Sequence, residues 1–140
     1  MKKTIIALTV ALAGTAFASP SVHQHTYKLD VLSSTTQSWS GQTIDYPKSG
    51  QAKVTSGIIS IEKGTSLPWH IHEVLMTVYV LQGTLTIVDD KGHQVVLKEG
   101  QVGVESVGSK HRGFAGADKD VKLFATYLGS ENLKNTKVVD

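Results

Sequence analysis

The stretch GTSLPWHIHEVLMTVYVLQG, Gly64 to Gly83, decides how this chain is read. Its second half, LMTVYVL, is β-branched and aromatic, the composition of a strand. Its first half sets His70 and His72 one residue apart. Successive side chains alternate on an extended chain, so the two imidazoles share a face while Ile71 points away. That is the geometry for two imidazoles on one metal, although a bare His-x-His also occurs as an ordinary surface pair. The reading sharpens with a third histidine, His111, in the turn GSKHRG, about 40 residues on. That is enough chain for several strands to close a barrel and bring it opposite.

Working outward, VTSGIISI, LMTVYVL, TLTIV, HQVVL, VGVESV and VKLFATYL are short apolar runs separated by the turns EKGTSL, QG, DDKG and KEG. No helical period lies between them, so the chain is expected to be all-β, a sandwich or barrel. DDKG reads as a hairpin loop whose glycine takes a positive φ. Thirteen glycines against three prolines suit many tight turns. The polar segment 33–50, with two aromatics, reads as a partly ordered arm or edge strands over one end of the barrel. The segment after Gly129, SENLKNTKVVD, reads as a frayed or weakly docked tail.

The chain opens with Lys2 and Lys3, an apolar run from Thr4 to Phe17, and then AFASP. A basic head, a short apolar run and a small-residue site with cleavage after Ala18 are the pattern of a secretory signal peptide. The run is short of the roughly 20 residues needed to span a bilayer. The expectation is an exported bacterial protein, periplasmic or secreted, with no membrane association after cleavage. The divisions expected are a signal peptide over 1–18, an arm over 19–50, a barrel over 51–129 and a tail over 130–140. Of the 14 Lys and Arg, two lie in the signal, leaving 12 basic against 12 acidic residues. A near-neutral chain with no basic stripe gives no argument for nucleic acid. There is no cysteine, hence no disulfide framework.

Gly64-x5-His70-x-His72-x3-Met76-x6-Gly83 resembles the first signature of the cupins, G-x5-H-x-H-x(3,4)-E-x6-G. Gly100-x5-Ser106-x-Gly108-x2-His111-x3-Ala115 resembles their second, G-x5-P-x-G-x2-H-x3-N. The resemblance covers about Ile58 to Leu128 and implies a double-stranded β-helix, the jelly-roll barrel, with one metal in its bore. It implies His70, His72 and His111 as ligands, with Met76 in the slot of the usual glutamate. Glu73 does not fill that slot, because alternation aims it at the opposite face. Ser106 for proline and Ala115 for asparagine affect the turn and the surroundings of the site rather than ligation. The resemblance also allows a homodimer.

A carboxylate is a hard, anionic ligand that suits Mn and Fe, whereas a thioether is neutral and soft and favours copper. With Met76 in that place the expected ion is Cu, with Zn or Ni next and Fe or Mn disfavoured. Met76 itself stands as a direct ligand, as a non-ligating wall, or as the mark of a site that has lost metal binding. Trp69, Tyr79 and Phe114 are candidate wall residues. Lys110 and Arg112 flank His111 and are expected to turn outward. His23 and His25 read as a solvated tail, and His93 as a surface strand residue. No G-x-S-x-G, P-loop or paired carboxylates support a serine hydrolase, nucleotide enzyme or glycosidase. Three functions remain: a non-catalytic metal or small-ligand binder, slightly favoured because no acid–base residue is evident beside the histidines, a metal-dependent enzyme of the dioxygenase or isomerase type, and last a purely structural barrel, which would leave three well-spaced histidines without purpose.

Overall fold

The computed structural model describes residues 28–140. The signal-peptide reading and His23 and His25 therefore lie outside the described residues. The described chain has no helix and forms nine strands: β1 (Ala52–Ile61), β2 (His70–Ile71), β3 (Leu75–Gln82), β4 (Thr84–Asp89), β5 (Gln94–Lys98), β6 (Val102–Val104), β7 (His111–Ala115), β8 (Val121–Ser130) and β9 (Lys137–Val138). They build a four-stranded sheet in the order β1-β8-β3-β6 and a five-stranded sheet in the order β5-β4-β7-β2-β9. Every named pairing is antiparallel. This is the all-β architecture expected, a double-stranded β-helix.

Period-two burial creates the core. Val78 and Val80 on β3, Leu85 and Ile87 on β4, and Val121, Leu123 and Ala125 on β8 point between the sheets and form one apolar cluster. Each Val, Leu or Ile buried there contributes about 1.5–3 kcal/mol. The intervening residues face outward, and β1, paired only with β8, is an edge strand buried fully only at Ile61.

The structure corrects one element and selects between alternatives for two. His111 begins strand β7 rather than sitting in a turn. The C-terminal segment is docked, not frayed: β9 pairs with β2, and Val139 N–H donates to Trp69 O. The arm is held by its serines and Trp39 rather than by a strand. Ser106, fully buried at the proline position, lies 3.0 Å from Ser38 Oγ and 2.7 Å from Ser40 Oγ, hydroxyl to hydroxyl. Trp39 N–H donates to Val104 O. Polar residues give no apolar periodicity, so such docking leaves no trace in a hydrophobic pattern.

The β3–β4 turn requires glycine at Gly83. Its φ is +82°, and a Cβ there would stand 2.6 Å from the Asp120 carbonyl oxygen. Gly83→Ala combines a left-handed penalty with a backbone clash and is expected to cost about 2–4 kcal/mol. Urea denaturation beside wild type measures it, and a loss below about 0.5 kcal/mol would contradict this account of the turn.

Candidate metal centre

Strand register brings the three histidines together. His70 pairs directly with His111 across β2 and β7, and His72, two residues on, bridges Val107. Alternation then places all three imidazoles on the inner face, buried. Their ring centroids are 4.6 Å apart for His70–His111 and 5.0 Å for each of the other pairs. One ring nitrogen from each lies within 4.8 Å of the others.

The tautomers follow from the partners. His70 Nδ1 lies 2.8 Å from Pro68 O, His72 Nδ1 2.7 Å from Asn135 O, and His111 Nδ1 2.8 Å from Ser109 O. A carbonyl oxygen only accepts, so each Nδ1 carries the proton and donates it. The Nε2 lone pairs are left for another purpose, the arrangement by which backbone carbonyls orient metal-binding histidines. His72 Nε2 and His111 Nε2 are buried without a hydrogen-bond partner among the described residues. These residues therefore fit a metal ion.

A carboxylate is also present, and the sequence reading missed it. Glu105 is buried, and its Oε2 stands 3.1 Å from His111 Nε2. The statement that no acid–base residue stands beside the histidines is thereby corrected. Alternation in VGVESV hid it: the pattern sets Val102 and Val104 on the apolar face, yet Gly103 and Glu105 are the buried residues and the valines are half-buried. Burial lowers the pKa of His70. It lowers that of His72 to about 4, outweighing the pull of Glu105 in the other direction. Burial acts the same way on His111, but the adjoining Glu105 carboxylate outweighs it and the net shift is upward. For Glu105, burial alone would raise the pKa, and the facing His111 reverses this to a net lowering.

The histidines open onto a cavity of about 280 Å³. Its walls include Leu67, Val78, Leu85, Ile87 and Leu123, with Met76 and Glu105 beside the histidines. Met76 also packs into the apolar core cluster. Trp69, Tyr79 and Phe114 are not among the lining residues, a correction that follows from alternation. Tyr79 lies opposite Phe124 on the outer face of its sheet. Phe114 lies between the inward Gly113 and Ala115. Trp69 carries the Arg112 guanidinium 4.7 Å and the Lys110 ammonium 5.7 Å from its ring centroid. The aromatic residue of the cavity is Tyr127, whose ring centroid is 5.8 Å from that of His72. The C-terminal segment contributes Thr136 and Val138 to the wall, and Glu73 is occupied in accepting from Lys134 N–H at 2.8 Å. His93 is a largely exposed partner of Asp89, at 2.9 Å.

These shifts fix a pH dependence for the metal-free protein. His72, depressed from 6.5 to about 4, contributes stability that is full above 6.5 and is lost as pH falls toward 4. His70 acts in the same direction. The contribution of His111, whose pKa is raised, is already complete below 6.5, and that of Glu105 is lost only below the ordinary carboxylate value of 4.5. Between pH 6.5 and 4.5 the histidine loss therefore prevails. Urea denaturation of chelator-treated protein is expected to show a fall of about 2 kcal/mol across that window, flattened in His72→Gln. A flat profile in wild type would contradict the assigned burial of a neutral His72.

Residues 57–127, just over half the chain, match the cupin domain family. Solved structures of similar fold include a cupin-like protein from Thermotoga maritima, with a TM-score of 0.56 and 17% identity, over 61% of this chain and 64% of that one. DMSP lyase DddQ from Ruegeria pomeroyi has a TM-score of 0.54 and 14% identity, over 61% of this chain and 43% of that one. A conserved protein with a double-stranded β-helix domain from Klebsiella pneumoniae has a TM-score of 0.52 and 16% identity, over 66% of this chain and 77% of that one. These likenesses are of fold, and the first two cover less than two thirds of those proteins. None of the curated proteins matches the chain in sequence. The pairing of its two motifs around one barrel bore and the family match agree: this chain belongs to the cupins.

Proposed function

We propose that this protein holds one transition-metal ion on His70, His72 and His111 and presents it to a small organic molecule lodged in the barrel. The observation that carries this reading is the convergence of three oriented imidazoles on the wall of a cavity of about 280 Å³ with apolar sides. A site devoted to the metal alone has no use for such a space, which is at the small end of ligand pockets, about 300–1,000 Å³. A bound ion supplies Lewis acidity and a template for the ligand's polar group. The chain's own residues do the rest. Pro68, Asn135 and Ser109 carbonyls hold the rings, and the aliphatic walls exclude water and select a ligand that is mostly apolar.

The expectation of copper rested on a neutral site with Met76 in place of a carboxylate. Glu105, buried beside His111, removes that premise, and Met76 reads as a wall residue of the apolar cluster. The second reading, a metal-dependent enzyme acting on a small molecule, is favoured by the same carboxylate, a group able to hold a proton inside the cavity. The likeness to a DMSP lyase is one of fold and assigns no substrate. The basic head and apolar run over 1–18 support export.

Chelator-treated protein titrated with Co(II) is expected to bind one ion per chain, and azide is expected to shift its visible absorption by occupying an open coordination position. His70→Ala and His111→Ala should each weaken Co(II) binding at least 100-fold. Absence of stoichiometric binding would remove the proposal, and a spectrum indifferent to azide would leave a closed site and no place for a ligand on the ion. For export, intact-mass analysis of periplasmic protein is expected to give a chain beginning at Ser19, and retention of residues 1–18 would refute the cleavage reading.

A further inference from the structure

We propose that Glu105 supplies the anionic metal ligand that the first motif lacks at Met76, the carboxylate having moved from one strand to its neighbour. The inference rests on the reading that the three histidines hold an ion, and it extends that site by a residue outside both signatures.

Register makes the exchange geometrically natural. On β3 and β6, Thr77 pairs with Val104, Val78 with Gly103 and Tyr79 with Val102. One step further brings Met76 against Glu105, whose N–H donates to Met76 O at 2.8 Å. A side chain at 105 thus enters the bore from the strand beside the one that carries the motif position, and both residues line the same cavity.

Orientation points the same way. Glu105 Oε2 and His111 Nε2 are 3.1 Å apart, yet neither has a hydrogen-bond partner of acceptable alignment among the described residues. Two acceptor atoms that close and without partners leave a place that a cation between them would satisfy. Donors about 2.0–2.2 Å from one ion, at about 90–109° to each other, stand about 2.8–3.6 Å apart. A buried carboxylate also requires a positive partner. Among the described residues lining the cavity there is no lysine or arginine, so the partner is a protonated His111 or a cation between it and the other imidazoles. Three imidazoles with one carboxylate form a harder, charge-compensating set that suits Mn(II) and Fe(II) far better than three imidazoles with a thioether.

The test uses chelator-treated full-length protein, with Mn(II) and Cu(II) affinities from chelator competition and Co(II) absorption as a report on the ligand set. Glu105→Gln, close to isosteric, is expected to weaken Mn(II) binding at least 100-fold and Cu(II) less than tenfold, and to change the Co(II) spectrum. Met76→Ala should stay within threefold of wild type with an unchanged spectrum. Returning the carboxylate to the motif position, in Met76→Glu/Glu105→Gln, should recover at least tenfold of the Mn(II) loss. Should Glu105→Gln fail to fold by circular dichroism, Glu105→Asp carries the test, with a tenfold loss expected from withdrawing the oxygen by one methylene. Mn(II) binding within threefold of wild type in the folded Glu105 variant, or a larger loss in Met76→Ala, overturns the proposal. If His70→Ala abolishes binding and Glu105→Gln does not, only this assignment falls. If wild type takes up none of the three ions, the three-histidine reading falls with it.

Discussion

The antiparallel pairing of His70 with His111 is the constraint on which the site depends. Side chains on a strand have a period of two, so a slip of one residue in either β2 or β7 would send a histidine to the outer face. β2 is only two residues long and cannot hold its own register. The register is held by neighbours: β7 on one side, β9 on the other, and the longer β4 against β7. The short β2, which carries His70, is thus clamped between β7, which carries His111, and β9, which carries no histidine. The docked C-terminal segment belongs to this clamp, since it pairs with β2 and supplies the carbonyl that orients His72.

Burial has a second consequence. Three imidazoles and a carboxylate inside an apolar barrel are costly unless their charges and donors are matched. The carbonyls of Pro68, Ser109 and Asn135 take the Nδ1 protons, and Glu105 faces His111. What is left over in the bore, His72 Nε2, His111 Nε2 and Glu105 Oε2, has no hydrogen-bond partner among the described residues. Polar groups left open inside an otherwise well-packed core belong to function rather than stability.

The barrel was legible because its strands are amphipathic and its turns carry glycine. VTSGIISI, LMTVYVL, TLTIV, HQVVL and VKLFATYL fall on β1, β3, β4, β5 and β8, and Gly92 in the DDKG loop takes a positive φ of 87°. The three histidines were legible from spacing. Trp69, Tyr79 and Phe114 were misplaced because an aromatic residue suits either face of a strand, and only the register says which. Which alternative holds for the tail and the arm was not legible, because backbone carbonyls and serine hydroxyls hold them, and neither leaves a periodic trace.

The sequence by itself determined an all-β cupin barrel with three histidines at spacings that converge, since alternation and turn chemistry are local and are written residue by residue. Only the tertiary structure decided what stands with them. Glu105 is 33 residues from His72 and follows directly on β6, and Asn135, which orients His72, is 63 residues from it. Neither relation has a local signature, because a contact between strands depends on register and closure, which the whole barrel sets at once.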